Sequence, residues 1–466
     1  MKKTLFISFL VLFLSIFLIS CGSNSKNENG DDSNNGNKNE KEDSDKNEED
    51  GKNGDEKDGD EKKDDGKDEE KGEMELKYKK ADEHAKAVSK EIVEANSGLA
   101  MRLFKEIAMS EPGENVMISP LSISIAMAMV TNGASEENLE EMKNVLGFGK
   151  MEMETVNKQF YELIQSLVEA DKDLLLTIAN SVWMDEGFES RVFETFLNAL
   201  IENYEAEPYA IDFSSDGATD LINGWVKDNT NGKIEEIVEE IGADVVMYLI
   251  NAIYFKAAWT VSFDKDNTYE GTFTTSSGED VKVELMSASR EQEFDFYSSG
   301  WEEDDYSVVR IPYGREKFAF YGVISNDYDK PIDELIEEME QSGIDTYFKN
   351  LSQQEVPVVL PKFKFEYEKP LVETFQILGM EKAFIEGGFL NLAENGEGLY
   401  ISDIKHKTFI EVNEEGTEAA AVTSVEVGEM SSPSGFYGTR PFAFFIRDDR
   451  SGTILFAGKV EDPTKE

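Results

Sequence analysis

The 466-residue chain has a single cysteine, Cys21, and only two histidines, His84 and His406. One cysteine excludes an intrachain disulfide framework. Two histidines without a second cysteine offer no His/Cys ligand spacing for a metal. There is no GxSxG elbow and no phosphate-cradling Gly-Lys loop, so neither triad hydrolysis nor nucleotide chemistry has a place to sit. Carboxylates are abundant, but no pair of them is singled out for acid–base work. We therefore expect no enzyme, no catalytic residue, no metal and no cofactor. Basic charge is also scarce: 46 Lys and Arg stand against 97 Asp and Glu, a formal net charge of −51. Residues 1–73 hold only 21 of those acidic and 12 of those basic residues, which leaves −42 on the remainder. No basic face can dominate such a field, and nucleic acid is excluded as a partner.

What is present begins with a short basic start, Lys2-Lys3, and the apolar run LFISFLVLFLSIFLIS. The run is short for a membrane span and ends in small residues, so residues 1–21 read as a signal peptide. Leu18-Ile19-Ser20-Cys21 resembles the lipobox of bacterial lipoproteins. That resemblance implies lipidation of Cys21, cleavage before it, and an extracytoplasmic protein held by lipid to the membrane or cell surface, from which it could be shed. Without the lipobox, the same run fits an ordinary secreted protein or an uncleaved anchor. Residues 22–73 carry no aliphatic or aromatic side chain. Such a segment cannot bury enough apolar surface to offset its chain entropy, and a disordered acidic tether is expected. Its end-to-end distance would be roughly 40 Å. The tether has no spaced ligand pattern that would make it a metal or partner site.

Residues 74–466 show apolar periodicity throughout and no second low-complexity linker, which predicts one folded domain. The front half carries apolar residues at three- and four-residue spacing in VSKEIVEANSGLAMRLFKEIAM (with His84 in its lead-in), SPLSISIAMAMVTNGA, NLEEMKNVLGF and TVNKQFYELIQSLVEA. Strand-like runs follow in LLLTIANSVWM and VVMYLINAIYFKAAW, with a helix predicted over LINGWVKDNTNGKIEEIV between them. The C-terminal half is mostly strand and closes on RPFAFFIRDD-RSG-TILFAGKV, a hairpin pattern. Helices first and strands later predict an α+β fold around large sheets.

Function turns on residues 406–432, HKTFIEVNEEGTEAAAVTSVEVGEMSS. Thr417-Glu418-Ala419-Ala420-Ala421 taken alone looks like a capped helix start. The continuation contradicts this. Thr417, Ala419, Ala421, Thr423, Val425 and Val427 are all small or β-branched and uncharged, while both charges fall on the interleaved set. Period two over this length is a strand with one face for burial and one for water. Its side chains are too small to hold it down as an independent edge, so it could be stored as a loop and inserted later.

NEEGTEAAAVTS resembles the hinge signature of inhibitory serpins, and the likeness continues in the family's order over residues 85–466. NVMISPLSISIAMAMVTNGA resembles the helix B region, INGWVKDNTNGKIEEIV the helix F region, and LINAIYFKAAW the central strand with the family's Asn and Trp. RPFAFFIRDDRSGTILFAGKVEDPT resembles the C-terminal strand pair. The resemblance implies three β-sheets with eight or nine helices in one domain, 74–466, with an exposed reactive-centre loop over about 414–440. It implies a hinge at Glu414, Glu415, Gly416, Thr417, Glu418, Ala419, Ala420 and Ala421. Ser119, Ser122, Asn251 and His406 would form a polar shutter beneath the opening of the main sheet, and Trp259 would pack at its breach near Glu414 and Gly416. Counting fifteen residues from Gly416 places the bait bond at Met430-Ser431, with Glu429-Met430 the fallback. The implied partners are serine proteases, captured as covalent acyl-enzymes by a monomer. Met430 suits an apolar pocket, so elastase-like enzymes lead, with chymotrypsin- or subtilisin-like enzymes next. The alternative is a non-inhibitory member acting as a surface carrier, chaperone or adhesin. Small residues at the positions that must enter the sheet favour the inhibitor.

Overall fold

Rich in Glu, Lys and Ala and without a single β-branched residue, though it includes Gly66 and Gly72, the first helix is α1 (Asp65–Ala87) of the computed structural model, which describes residues 65–168, 170–172, 174–288, 291–300, 305–417 and 434–465. Helix therefore begins inside the stretch expected as tether, which ends at Glu73. Among the residues of α1 whose burial is described, 72–87, Ala81 and Ala85 are the buried ones. Polar clamps hold the rest. Tyr78 lies under the Arg315 guanidinium at 4.4 Å, Asp82 pairs with Arg450 at 3.3 Å, and His84 Nδ1 meets Glu162 Oε2 at 2.7 Å. His84 thus belongs to this helix and not to a lead-in.

The next segment, α2 (Lys90–Ser110), starts at Ser89, whose hydroxyl accepts from Ile92 N, and buries Ile92, Leu99, Leu103, Phe104 and Ile107 on one face. Strand β1 (Val116–Ile118) leads into α3 (Pro120–Thr131), apolar on nearly all sides and buried accordingly. Then come α4 (Glu136–Val145), α5 (Met153–Leu167), β2 (Leu174–Asp185), α6 (Glu194–Tyr204), β3 (Glu207–Ile211), α7 (Ala218–Asn229) and β4 (Met247–Ala258). The helix predicted over residues 221–238 stops at Asn229, because Asn231 (φ 52°) and Gly232 (φ 76°) turn the backbone left-handed.

The second half holds β5 (Tyr269–Thr274), β6 (Asp280–Ser287), β7 (Glu293–Ser298), β8 (Tyr306–Tyr313), β9 (Phe318–Ser325), α8 (Ile332–Ser342), α9 (Asp345–Phe348) and β10 (Ser352–Glu355). After these follow β11 (Val358–Pro361), β12 (Phe363–Pro370), α10 (Val372–Ile377), β13 (Lys405–Asn413), β14 (Gly416–Thr417), β15 (Phe436–Tyr437), β16 (Phe442–Asp448) and β17 (Thr453–Val460). Among the described residues there are thus ten α-helices, against the eight or nine expected, two of them only four and six residues long.

Three sheets organise these elements. One has seven strands in the order β1-β17-β16-β9-β8-β7-β10, and one has four, β15-β11-β6-β5. The third has six, β12-β13-β14-β4-β2-β3. Strands β9 and β17 are buried along their whole length, which explains why their sequences read as continuous apolar runs and not as alternation. The main core lies between the seven-stranded sheet, helices α2 and α3, and the inner face of the six-stranded sheet. A smaller cluster of Trp183, Phe213, Ile222, Val226, Ile234, Val238 and Ile250 fills the space beneath α7 on the other face of that sheet.

Candidate functional site

Strand β14 is two residues long and sits between two long neighbours. Gly416 pairs with Asn413 of β13 and Ala258 of β4; Thr417 pairs with Val412 and Ala257. Both pairings are antiparallel, so β4 and β13 run parallel to each other. Among the described residues no ladder joins β4 directly to β13. Residue 416 has to be glycine: its φ is +154°, and a Cβ there would stand 2.0 Å from the carbonyl oxygen of Ala257. Thr417 is buried, and its hydroxyl shares a 2.7 Å hydrogen bond with Tyr313 Oη. Burial pushes the Tyr313 phenol well above its ordinary pKa, so it stays protonated. The Tyr313 ring stacks on Trp259, with centroids 4.5 Å apart.

Trp259 ties the end of β4 to the approach of the hinge. Its indole Nε1 donates to Asn413 O (2.9 Å), and its backbone N donates to Glu415 O (3.0 Å). Glu414 is buried, which a carboxylate tolerates only with partners. It has two: Thr268 Oγ1 donates to Oε1 at 2.9 Å, and Lys362 Nζ lies 3.5 Å from the same oxygen. Its carbonyl accepts from Phe263 N at 2.9 Å. Glu415 points the other way and pairs with Lys265 at 2.5 Å. Trp259, Glu414, Glu415, Gly416 and Thr417 therefore meet at one end of the six-stranded sheet.

A second polar cluster lies further down the same strands. His406 on β13 is fully enclosed, and its Nε2 accepts from Ser119 N at 3.0 Å. Burial pushes its pKa down to about 3, so the ring is neutral and its proton sits on Nδ1. Ser119 caps α3: its hydroxyl accepts from Ser122 N (3.3 Å) and donates to Leu455 O (2.9 Å). Ser119, Ser122 and His406 thus lie together. Asn251 is held elsewhere. Its amide donates to Asn180 Oδ1 on β2 at 2.7 Å, and Asn180 donates in turn to Tyr204 O at 2.7 Å. The Asn251 Oδ1 atom is buried without a hydrogen-bond partner. Asn180 was not foreseen; a single amide within an apolar strand carries no sequence signal of its own.

Glu418, Ala419, Ala420, Ala421, Met430 and Ser431 lie outside the described residues, as does Cys21. The chain is described again from Ser434, and β15 then pairs in parallel with β11. Arg440 fixes this end, donating to Ser325 O and lying 4.3 Å over the Tyr328 ring. Among the described residues no group of three or more His, Cys, Asp or Glu side chains could hold a metal ion, and no helix is long and apolar enough to cross a membrane.

This sheet arrangement and hinge define a class. The family model described as "Serpin (serine protease inhibitor)" matches residues 94–463, and the chain belongs to the serpin family. It is 32% identical over 381 residues to a serpin-like protein of Thermococcus kodakarensis, covering 80% of this chain and 86% of that one. The solved structure of tengpin, a thermophilic serpin, in its native state matches with a TM-score of 0.69 at 34% identity, over 80% of this chain and 95% of that one. Human thyroxine-binding globulin complexed with thyroxine matches with a TM-score of 0.70 at 28% identity, over 80% and 98%. The family's fold, three sheets in an α+β arrangement, is the fold found here.

Proposed function

We propose that the protein is a suicide inhibitor of serine proteases, with Met430-Ser431 as the bait bond. One observation carries this reading: Gly416 and Thr417 are already hydrogen-bonded between β4 and β13, which no direct ladder joins. A strand continued from Thr417 in the same direction would run along the line between the two strands. Carried forward in the same register, Val427 reaches Met247, the first residue of β4, and Thr423 reaches the level of Asn251 and His406. Residues 419, 421, 423, 425 and 427 would share the inner face with Thr417, beside Phe255 and Ile253 of the core. Those are the small, uncharged positions of the alternation. The charges at Glu418 and Glu426 would face outward.

The mechanism follows from this geometry. The protease serine attacks the Met430 carbonyl; the bond to the Ser431 nitrogen breaks, and the new amine leaves with the proton as the acyl-enzyme forms. The freed strand then enters the sheet. About ten backbone hydrogen bonds, each worth roughly 1 kcal/mol net, place the gain on the order of 10 kcal/mol before burial is added. The protease is carried along while still acylated. Its active site is distorted before water can release it. A carrier role is the second reading, since thyroxine-binding globulin shares the fold, but the small inner-face residues favour insertion.

The test is incubation of the protein with an elastase-like protease. We expect a complex that survives denaturing electrophoresis and a released peptide beginning at Ser431. Cleavage at any loop bond with no such complex would exclude inhibition. We also place the protein outside the cytoplasm, held by lipid on Cys21. A clickable fatty acid fed to expressing cells should label the wild type and not Cys21→Ser.

A further inference from the structure

A carboxylate stands clamped at the edge of the six-stranded sheet. Strand β3 is the last of that sheet, and its first residue, Glu207, is exposed. Two aromatic side chains donate to one of its oxygens, Oε2: the Tyr209 hydroxyl and, at 3.0 Å, the Trp225 indole Nε1 from α7. Among the described residues no donor meets the other oxygen, Oε1, and no Lys or Arg pairs with this carboxylate. The clamp itself is fixed from beneath. The Tyr209 ring stacks on buried Trp183 with centroids 4.3 Å apart, and Trp183 Nε1 donates to Ser181 Oγ at 2.8 Å. Burial, and then the carboxylate beside it, push the Tyr209 phenol up to about 12, so it remains a donor to Glu207 at neutral pH. Tyr209 and Trp225 are only half-buried, which leaves part of each open to solvent. The place is far from the hinge. Glu207 pairs with Ser181, Ser181 with Ile250, and Ile250 precedes Ala257, the partner of Thr417, by roughly 23 Å along β4.

We propose that Glu207, held by Tyr209 and Trp225, is a binding site for a lysine or arginine side chain of a protein partner. A cation is what the free oxygen suits. An ammonium or guanidinium on Oε1 gains a charge-assisted hydrogen bond and stands beside the indole, within reach of cation–π attraction. The carboxylate is already oriented by two donors, so accepting a third costs little further ordering. An anion is excluded by charge: from Val192 to Val226 the chain carries seven Asp and Glu and no Lys or Arg. The site is open at a sheet edge and encloses nothing, so a free amine gains little there. The cation has to arrive on a larger partner whose neighbouring surface supplies the remaining contacts. This site does not depend on the inhibition reading, and its distance from the hinge lets both places be occupied together.

The experiment is calorimetric titration of the full-length protein, at about 0.15 M salt, with an alternating Lys-Gly peptide about ten residues long and, separately, with lysine amide. We expect the peptide to bind and lysine amide to bind far more weakly. Glu207→Gln and Trp225→Leu should each weaken the peptide at least about fivefold. Glu202→Gln removes the same charge from the same exposed stretch and should weaken it less than about twofold. Trp225→Leu is the deciding variant, because it leaves every charge in place. Should it fail to fold, Trp225→Phe, which keeps a ring and loses the donor, should weaken the peptide at least about twofold. Equal losses in Glu207→Gln and Glu202→Gln, with no effect at residue 225, would mean a diffuse acidic surface and overturn the site. No binding of the peptide overturns it as well, and lysine amide binding as tightly as the peptide overturns the protein partner.

Discussion

Single atoms decide two positions along the line between β4 and β13. At residue 416 it is the Ala257 carbonyl oxygen, which leaves no room for a Cβ, so the glycine is required by the neighbouring strand as well as by its own φ. At His406 it is Nε2, which must remain an acceptor for Ser119 N at the start of α3. Protonation would replace that lone pair with a second donor in a buried site. The pKa of about 3 in the fold lies below the ordinary value of 6.5. Between those two values the unfolded chain binds the extra proton, so this histidine's contribution is full above about pH 6.5 and is lost as the pH falls towards 3. From pH 7.5 to 5 the uncut protein should lose about 2 kcal/mol through this residue. His406→Gln, which keeps an acceptor and cannot titrate, should show that much less pH dependence in denaturant midpoints measured at the two values. Equal pH dependence in both proteins would refute the assignment. A structural role for His406 is implied in the sequence only by the family resemblance. Asn180 has no such signal, since its part in holding Asn251 arises only when β2 and β4 are laid side by side.

Among the elements, those whose burial follows a simple period were legible. The alternating strands and the one-sided helices α2 and α5 stand where apolar spacing put them. The departures have two physical sources. Helix α1 lacks an apolar stripe, and its first nine residues fall within the expected tether; it is held by an Arg–Tyr stack, the Asp82–Arg450 ion pair, the His84–Glu162 hydrogen bond and two buried alanines, contacts that leave no periodic trace. Helix α7 is shorter than its apolar spacing predicts because Asn231-Gly232, a strong signal for a tight turn, ends it at Asn229. Strand β14 stands at the start of the two-residue alternation and is the element on which the proposed insertion would depend. Thr417 sits between Val412 and Ala257 with its hydroxyl on Tyr313. Thr417→Arg would place an unpaired guanidinium at that buried point, at a cost of several kcal/mol. We expect this variant to be cleaved by an elastase-like protease and released, with covalent complex falling from most of the protease to a small fraction. Undiminished complex on denaturing gels would mean that entry does not begin at Thr417.

For the whole molecule, charge and insertion act at separate stages, which makes them separable by salt. Residues 74–466 carry a formal charge of −42, and a field of that size reaches a cationic protease before any contact forms. The Debye length shrinks from about 30 Å at 0.01 M to about 8 Å at 0.15 M, so the field steers encounter at low ionic strength and is largely screened in normal saline. Insertion is different. Under the proposed mechanism the strand would move within one molecule, between β4 and β13, once the acyl bond has formed, and the inner-face positions of the alternation carry no charge. The second-order rate of complex formation with a basic elastase-like protease should therefore fall about tenfold or more between 0.01 M and 0.3 M salt. The number of inhibitor molecules consumed per protease should change little, because that ratio is set by insertion against deacylation. An acidic protease of the same specificity should show the opposite trend in rate, faster as salt masks the repulsion. If the rate with the basic enzyme is flat across the series, the surface charge has no part in choosing the target, and the preference must come from the residues around Met430 alone.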